Sequence, residues 1–148
     1  MKKYKEINIG DKESLSHTIT KSDIEKFVDL TGDDNKLHVD EQYARTTAFK
    51  KPVVHGMLGA SFISTIIGTK LPGDGALWFA QSLEFLLPVR IGDTLTVTAE
   101  VLKKNDKENV IELKTEIPEN WSIFVLRMQD PGREKLKSHD FAAKLTAP

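Results

Sequence analysis

The sequence predicts an α+β fold in which a curved antiparallel sheet wraps around one buried central helix. Residues 55–68 place apolar side chains nearly all round a helix, a pattern that is typical of a buried helix. From residue 77 the period changes, and runs of alternating apolar residues between turn residues indicate several antiparallel strands. A chain of 148 residues suits one domain, which we expect to span residues 1–148.

The composition excludes several classes of function. The formal net charge of −1 argues against a nucleic-acid partner or an anionic membrane, since both require a basic surface. The chain has no cysteine, which rules out disulfides and thiolate chemistry. No apolar run approaches the about 20 residues of a membrane span, and the basic N-terminal stretch lacks the apolar segment of a secretory signal. We therefore expect a cytoplasmic protein.

The first elements are a strand and a short helix. The run SLSHTIT at residues 14–20 is a plausible early strand. Ser22 and Glu25 have the spacing of a capping box, and apolar residues with helical spacing follow. A helix is predicted from about residue 23 to residue 31, and Gly32 supplies its C-terminal end.

The next elements lead to the central helix. The stretch GDDNKLH at residues 32–38 is predicted to leave the first helix as a loop. Asp40 can cap a second short helix over EQYARTTAF, and Pro52 prevents its extension. The buried helix begins at HGM and is expected to end between Gly68 and Gly75, where glycines and a proline accumulate.

Four runs in the second half are predicted strands. The run TLTVTAEV alternates, so that one face carries Leu95, Val97, Ala99 and Val101. Turn residues at 92–93, 105–106 and 130–132 separate the strands. The four runs are LWFAQSLEFLLPVRIGD, TLTVTAEVLKKND, NVIELKTEI and SIFVLRMQ.

Two short stretches carry the candidate chemistry. Asp33 and His38 could act as a base and an acid, but their spacing alone favours a solvated turn. His55 and Gly56 begin the central helix, where a free N–H group could stabilise an oxyanion; a capping histidine beside a packing glycine is an equal alternative. Ser64 lies within the helix, where bonding to the preceding turn is the usual role.

The remaining titratable residues form no recognisable site. His17 and His139 stand alone, and the sequence contains no cluster with the spacing of metal ligands.

The segment TGDDNKLHVDEQYARTTAFKKPVVHGMLGASFIS resembles the hydratase motif of the MaoC-like (R)-specific enoyl-CoA hydratases. The family pattern runs G-D-x-N-P-x-H, then a short helix, then V-H-G-M at the start of a long helix. QSLEFLLPVRIGDTLTVTAEV is also similar to the strands that follow in this family, and the resemblance covers about residues 10–117. It implies the hot-dog fold, an antiparallel sheet around a long helix, and a homodimer.

The resemblance also implies the roles of five residues. Asp33 and His38 would be catalytic, and the backbone N–H of Gly56 would bind the thioester oxygen. Asn35 would shape the loop, and Ser64 would lie near the active site with a lesser role. The implied reaction adds water to a trans-2-enoyl-CoA and gives an (R)-3-hydroxyacyl-CoA, with no metal or redox cofactor.

Two features depart from the family pattern. Lys36 replaces the proline of the motif, and its greater freedom could loosen the geometry between Asp33 and His38. The segment from about residue 118 to residue 148 lacks the usual C-terminal ending of the family. Alternatives are a dehydratase of 3-hydroxyacyl-carrier-protein thioesters and a non-catalytic module that binds acyl thioesters. A thioesterase or a purely structural segment would not explain the clustered polar residues of the motif.

Overall fold

The computed structural model of the protein describes residues 4–117 and the backbone of residues 121–129. After a single 3₁₀ turn at Tyr4–Glu6, four helices occupy the first half of the chain. They are α1 (Lys21–Thr31), α2 (Lys36–Val39), α3 (Glu41–Thr46) and α4 (Gly56–Thr69). No helix in the described part of the chain is both long enough and apolar enough to span a membrane.

The strands form one antiparallel sheet. They are β1 (Lys12–Thr18), β2 (Leu77–Ala80), β3 (Leu83–Phe85), β4 (Thr94–Asn105), β5 (Val110–Ile117) and β6 (Trp121–Gln129). The order is β1-β4-β5-β6-β2, and β3 also pairs with β6. The predicted α+β architecture is confirmed. The predicted run over residues 77–93 forms only two short strands, and residues 86–93 connect them to β4.

The core lies between the sheet and α4. The four predicted inward residues of β4 are each at most 1% exposed, and they pack in one cluster with residues of α4 and β5. The prediction that α4 is buried is only partly correct, because one stripe of the helix is exposed. That stripe consists of Met57, Ser61, Ser64, Thr65, Gly68 and Thr69.

The start of α1 differs from the prediction. The capping box is formed by Thr20 and Asp23, not by Ser22 and Glu25, so the helix begins two residues earlier than expected. The physical reason is a hydrophobic staple: Ile19 and Ile24, which flank this box, are 1% and 5% exposed.

The motif GDDNKLH is not all loop. Asn35 caps a single helical turn, α2, by accepting a hydrogen bond from the N–H of Leu37 at 3.0 Å. Asp40 caps α3 as predicted, accepting from the N–H of Tyr43 at 2.9 Å. Lys36 takes the first position of α2, where proline is favoured, and the turn forms without it. The predicted turn at residues 130–132 and the tail beyond it lie outside the described residues.

Candidate active site

The backbone after α1 turns sharply and presents Asp33 to solvent. Gly32 adopts a left-handed conformation with φ of 75°, which glycine accepts without strain, and its N–H donates to the carbonyl of Val28. The Asp33 side chain is 51% exposed. Its carboxylate accepts one long hydrogen bond, 3.4 Å from the N–H of Asn35. Its Oδ2 lies 3.9 Å from Nε2 of His55, which is beyond hydrogen-bond distance, so this oxygen can still accept from a ligand or water.

His38 lies on α2 and is held by its ring. Its Nδ1 lies 2.7 Å from the carbonyl oxygen of Val53. Because a carbonyl oxygen only accepts, Nδ1 carries a hydrogen and donates it. The other ring nitrogen, Nε2, has no hydrogen-bond partner among the described residues. Nε2 is therefore the nitrogen of His38 that can exchange a proton with another molecule.

His55 lies beneath both residues. Its side chain is 2% exposed, and its Nε2 lies 2.9 Å from the backbone carbonyl oxygen of Asp33. Its ring stacks on the ring of His38, with centroids 3.8 Å apart and planes inclined by 30°. Phe27 contacts the His55 ring, with a centroid distance of 4.8 Å. The sequence had suggested a capping histidine here, but the side chain makes no capping hydrogen bond to α4.

The three polar groups converge closely enough for one water molecule to bridge them. One side-chain atom each from Asp33, His38 and His55 lies within 4.8 Å of the other two. A water that makes two hydrogen bonds of about 2.8 Å at a near-tetrahedral angle separates its partners by about 4.6 Å. Tetrahedral zinc ligands would lie about 3.4 Å apart, whereas Nε2 of His55 and Oδ2 of Asp33 are 3.9 Å apart. The His55 Nε2 also already donates to a carbonyl, which removes it as a metal ligand.

Gly56 opens α4 with a free donor. Its N–H has no hydrogen-bond partner in the described part of the chain, and it lies at the positive end of the helix dipole. A Cβ at this position would lie 3.1 Å from Cζ of Phe85, so the ring covers the place of a side chain. The site therefore combines an unpaired N–H group with an apolar ring beside it.

The segment that precedes α4 is fixed by Arg90. Its guanidinium donates to the carbonyl oxygens of Phe49, Lys51 and Pro52. The next carbonyl, that of Val53, accepts from His38. Arg90 thus anchors the backbone that orients the His38 ring.

The structure brings four of the five predicted residues to one place. Asp33, Asn35 and His38 share the segment after α1, and His55 connects this segment to the helix that starts at Gly56. Ser64 has no contact with them among the described residues, and its position on α4 is about 12 Å along the axis from Gly56. The sequence predicts no role for the His55 side chain beyond a helix cap; its place in the V-H-G-M motif is the signal that marks it.

A second histidine–carboxylate pair lies outside this site. His17 is not isolated as predicted: its Nε2 lies 2.9 Å from Oδ2 of Asp23, and its ring stacks on Phe62 at 4.5 Å. Hydrogen bonds from His17 and then from Thr20 lower the pKa of Asp23 from 3.8 to about 2.

Comparisons with known proteins identify similar sequences and structures. A sequence model of the MaoC-like domain matches residues 6–120. The chain is 46% identical over 112 residues to an (R)-specific enoyl-CoA hydratase of Rhodospirillum rubrum. The aligned region covers 76% of this chain and 78% of the relative. It is 40% identical over 111 residues to the (R)-specific enoyl-CoA hydratase of Aeromonas caviae, covering 75% and 83%.

A solved structure shows the same architecture. The R-hydratase PhaJ1 of Pseudomonas aeruginosa, in its unliganded form, matches with a TM-score of 0.80 and 33% identity over 90% of each chain. This likeness confirms the predicted hot-dog fold.

Proposed function

The chain belongs to the MaoC-like domain family, and we propose that it is an (R)-specific enoyl-CoA hydratase, a hydro-lyase that adds water to a trans-2-enoyl-CoA. The observation that carries this proposal is the open arrangement of Asp33 and His38. A half-exposed carboxylate lies within 4.8 Å of a ring nitrogen of a histidine whose Nε2 is free, close enough for one water to bridge the two residues. An (R)-3-hydroxyacyl-CoA is the product.

The thioester carbonyl would bind at the start of α4. The carbonyl oxygen accepts a hydrogen bond from the N–H of Gly56, and the positive end of the helix dipole further attracts this oxygen. Negative charge grows on this oxygen as the enolate forms, so the same donor binds the transition state more tightly than the substrate. Loss of a donor of this kind typically costs about 2.7–4 kcal/mol of transition-state stabilisation.

Asp33 and His38 would divide the proton transfers. The Asp33 carboxylate accepts a proton from the bound water while the water oxygen forms the bond to C3. His38, protonated on both nitrogens, gives the Nε2 proton to C2, and its Nδ1 keeps its bond to the Val53 carbonyl. The proton on Asp33 then returns to His38 through a water, which restores the starting state. We propose that the double bond presents one face to both groups, so that the two additions occur on that face.

The chemistry of these groups supplies every proton that the reaction needs, so we propose that it proceeds without a metal or redox cofactor. Ser64, which is exposed on α4 and has no contact with the other site residues among those described, would take no direct part in the proton transfers.

We also propose a homodimer in the cytoplasm. Large apolar side chains stay exposed on the single chain, among them Met57, Leu86 and Leu87 at 57%, 54% and 55%. A second copy that covers such residues would remove apolar surface from water, which favours association. Light scattering on a sizing column measures the mass directly.

The test of the proposed function is an assay with crotonyl-CoA. Loss of the enoyl absorbance, followed by chiral analysis of the product, should give (R)-3-hydroxybutyryl-CoA. Crotonyl-carrier protein serves as the parallel substrate. A faster reaction with the carrier-linked substrate would instead identify a carrier-protein dehydratase. Binding of crotonyl-CoA and longer enoyl-CoAs without turnover of either thioester class would identify a binding module and refute the hydratase.

A further inference from the structure

We propose that His55 is a positioning residue: it holds the Asp33 backbone and the His38 ring in place and exchanges no proton with the substrate. This inference rests on the proposed function. The residue connects the two segments of the site, since it precedes Gly56 directly and bonds to a residue 22 positions earlier in the chain.

The hydrogen bond to Asp33 fixes the protonation of the His55 ring. A carbonyl oxygen is only an acceptor, so the Nε2 that faces it carries the hydrogen. The other nitrogen, Nδ1, is buried and has no partner among the described residues. A buried polar atom without a partner costs free energy and calls for an explanation. The contacts of the rest of the ring with Asp33 and His38 explain why His55 is buried despite this cost.

The bond from His55 is the main restraint on Asp33. In the described part of the chain, it is the one hydrogen bond that ties Asp33 to a residue more than two positions away. Its other bonds are local, to Thr31 and Asn35, and it follows a glycine in the left-handed conformation. Without His55, the half-exposed carboxylate would depend on these local bonds alone for its position.

The stacked ring restrains His38 in a second way. The bond to Val53 fixes one edge of the His38 ring but still allows the ring plane to tilt about that bond. The face of His55, 3.8 Å away, limits this tilt and so aims Nε2. Proton transfer requires reacting atoms within about 0.5 Å of their productive positions, so both restraints bear on turnover.

Two other roles do not fit the geometry. A structural cap is excluded because the His55 side chain makes no hydrogen bond to the start of α4. A direct acid or base role is excluded because the side chain is 2% exposed, with Nε2 engaged and Nδ1 enclosed.

Three substitutions at this position separate the donor from mere packing. The amide nitrogen of glutamine can occupy the place of Nε2, whereas that of the shorter asparagine corresponds to Nδ1; leucine fills space without a donor. We expect H55Q to keep kcat within about 10-fold, and H55N and H55L to lose about 100-fold in kcat with KM changed by less than about 3-fold. Equal activity of H55Q and H55L, or undiminished activity of H55N, would overturn the proposal.

A measurement on the unmodified protein tests His55 without any assay. Long-range ¹H–¹⁵N correlation spectra report which ring nitrogen carries the hydrogen, and the expected result is a protonated Nε2 with a bare Nδ1. A proton on Nδ1 at neutral pH would overturn the proposal even if the enzyme is active. Failure of the wild-type protein to hydrate any enoyl thioester would refute the proposed function, while the expected spectrum would still support the contact with Asp33.

Discussion

Two histidine–carboxylate pairs in the described part of the chain, His17 with Asp23 and His38 with Asp33, combine the same two kinds of side chain in opposite states. In the closed pair, His17 and Asp23, the two side chains bond directly at 2.9 Å, and Thr20 donates two further hydrogen bonds to the carboxylate. In the open pair, Asp33 and His38, no direct bond forms among the described contacts. The Asp33 carboxylate accepts only the long bond from the neighbouring backbone.

The difference between the pairs shows that a carboxylate must keep an oxygen without a protein hydrogen-bond donor in order to accept a proton from a substrate or water. Three hydrogen bonds converge on Oδ2 of Asp23 and lower the pKa of this carboxylate to about 2, so the group stabilises the fold as an anion and takes no proton near neutral pH. Asp33 is held through its backbone by His55 instead, and its side chain remains available. Because the hydrogen bond from His55 holds the main chain and not the carboxylate, the carboxylate keeps its position and can still accept a proton.

The largest effect is expected at the open pair. Asn at position 33 can still accept a hydrogen bond but cannot take a proton, so D33N should lose about 10³-fold in kcat and remain folded. The measurement is the hydration rate of crotonyl-CoA, with circular dichroism to verify the fold. D34N is the matched control, because it removes the adjacent exposed carboxylate; it should retain activity within about twofold. A folded D33N with turnover within tenfold of wild type would exclude Asp33 as the base.

A second prediction concerns the donor beside the open pair. The Cβ of G56A would lie 3.1 Å from Cζ of Phe85, so the ring must shift from the start of α4. We expect an about 10-fold or larger loss in kcat/KM with a stability change below about 1 kcal/mol, because the half-exposed ring can move; steady-state kinetics and urea unfolding measure the two effects.

The same helix offers the control for this substitution. A Cβ at Gly68 meets nothing within 4 Å, so G68A should leave turnover unchanged and stabilise the protein by up to about 1 kcal/mol. If both alanine variants behave alike, the crowding between Gly56 and Phe85 has no bearing on the site.

A smaller effect, on stability alone, is expected at the closed pair. D23N removes the charge that His17 and Thr20 bind, and should destabilise the protein by about 1–2 kcal/mol at pH 7 with turnover intact. Because the folded pKa of Asp23 is depressed from 3.8 to about 2, its contribution is complete above pH 3.8 and is lost as the pH falls to about 2. Urea unfolding should show the two proteins converging over this range; a constant difference would mean that the charge is unimportant.

Much of the fold follows from local patterns. The alternation in β4 identified its buried face because side chains of a strand alternate between two faces. The start of α1 was misassigned because Thr20–Asp23 and Ser22–Glu25 are overlapping frames with similar capping chemistry. The buried residues Ile19 and Ile24 decide between them, and the second frame is flanked by lysines at the equivalent positions, 21 and 26.

Contacts between elements that are distant in the sequence are harder to predict from local patterns. Asp33 and His38 are five positions apart, so their motif was recognisable in the sequence. The bond of His55 to Asp33 depends on how α4 packs beneath the loop, and local spacing carries no information about it. The pairing of His17 with Asp23 likewise requires the turn from β1 into α1 and the ring of Phe62.

One substitution made at both histidines tests the division between the pairs most directly. Asparagine keeps a donor near the place of Nδ1 and removes Nε2, so H38N can retain the bond to Val53 and lose the proton-transfer atom. H17N instead loses the bond to Asp23 and the stack on Phe62.

The measurement is kcat with crotonyl-CoA and the melting temperature of each variant. We predict that H38N loses at least about 100-fold in kcat with its melting temperature within about 2 °C of wild type. H17N should melt several degrees lower and keep its kcat. Undiminished turnover in H38N, or an equal loss of turnover in both variants, would contradict the assignment of catalysis to the open pair.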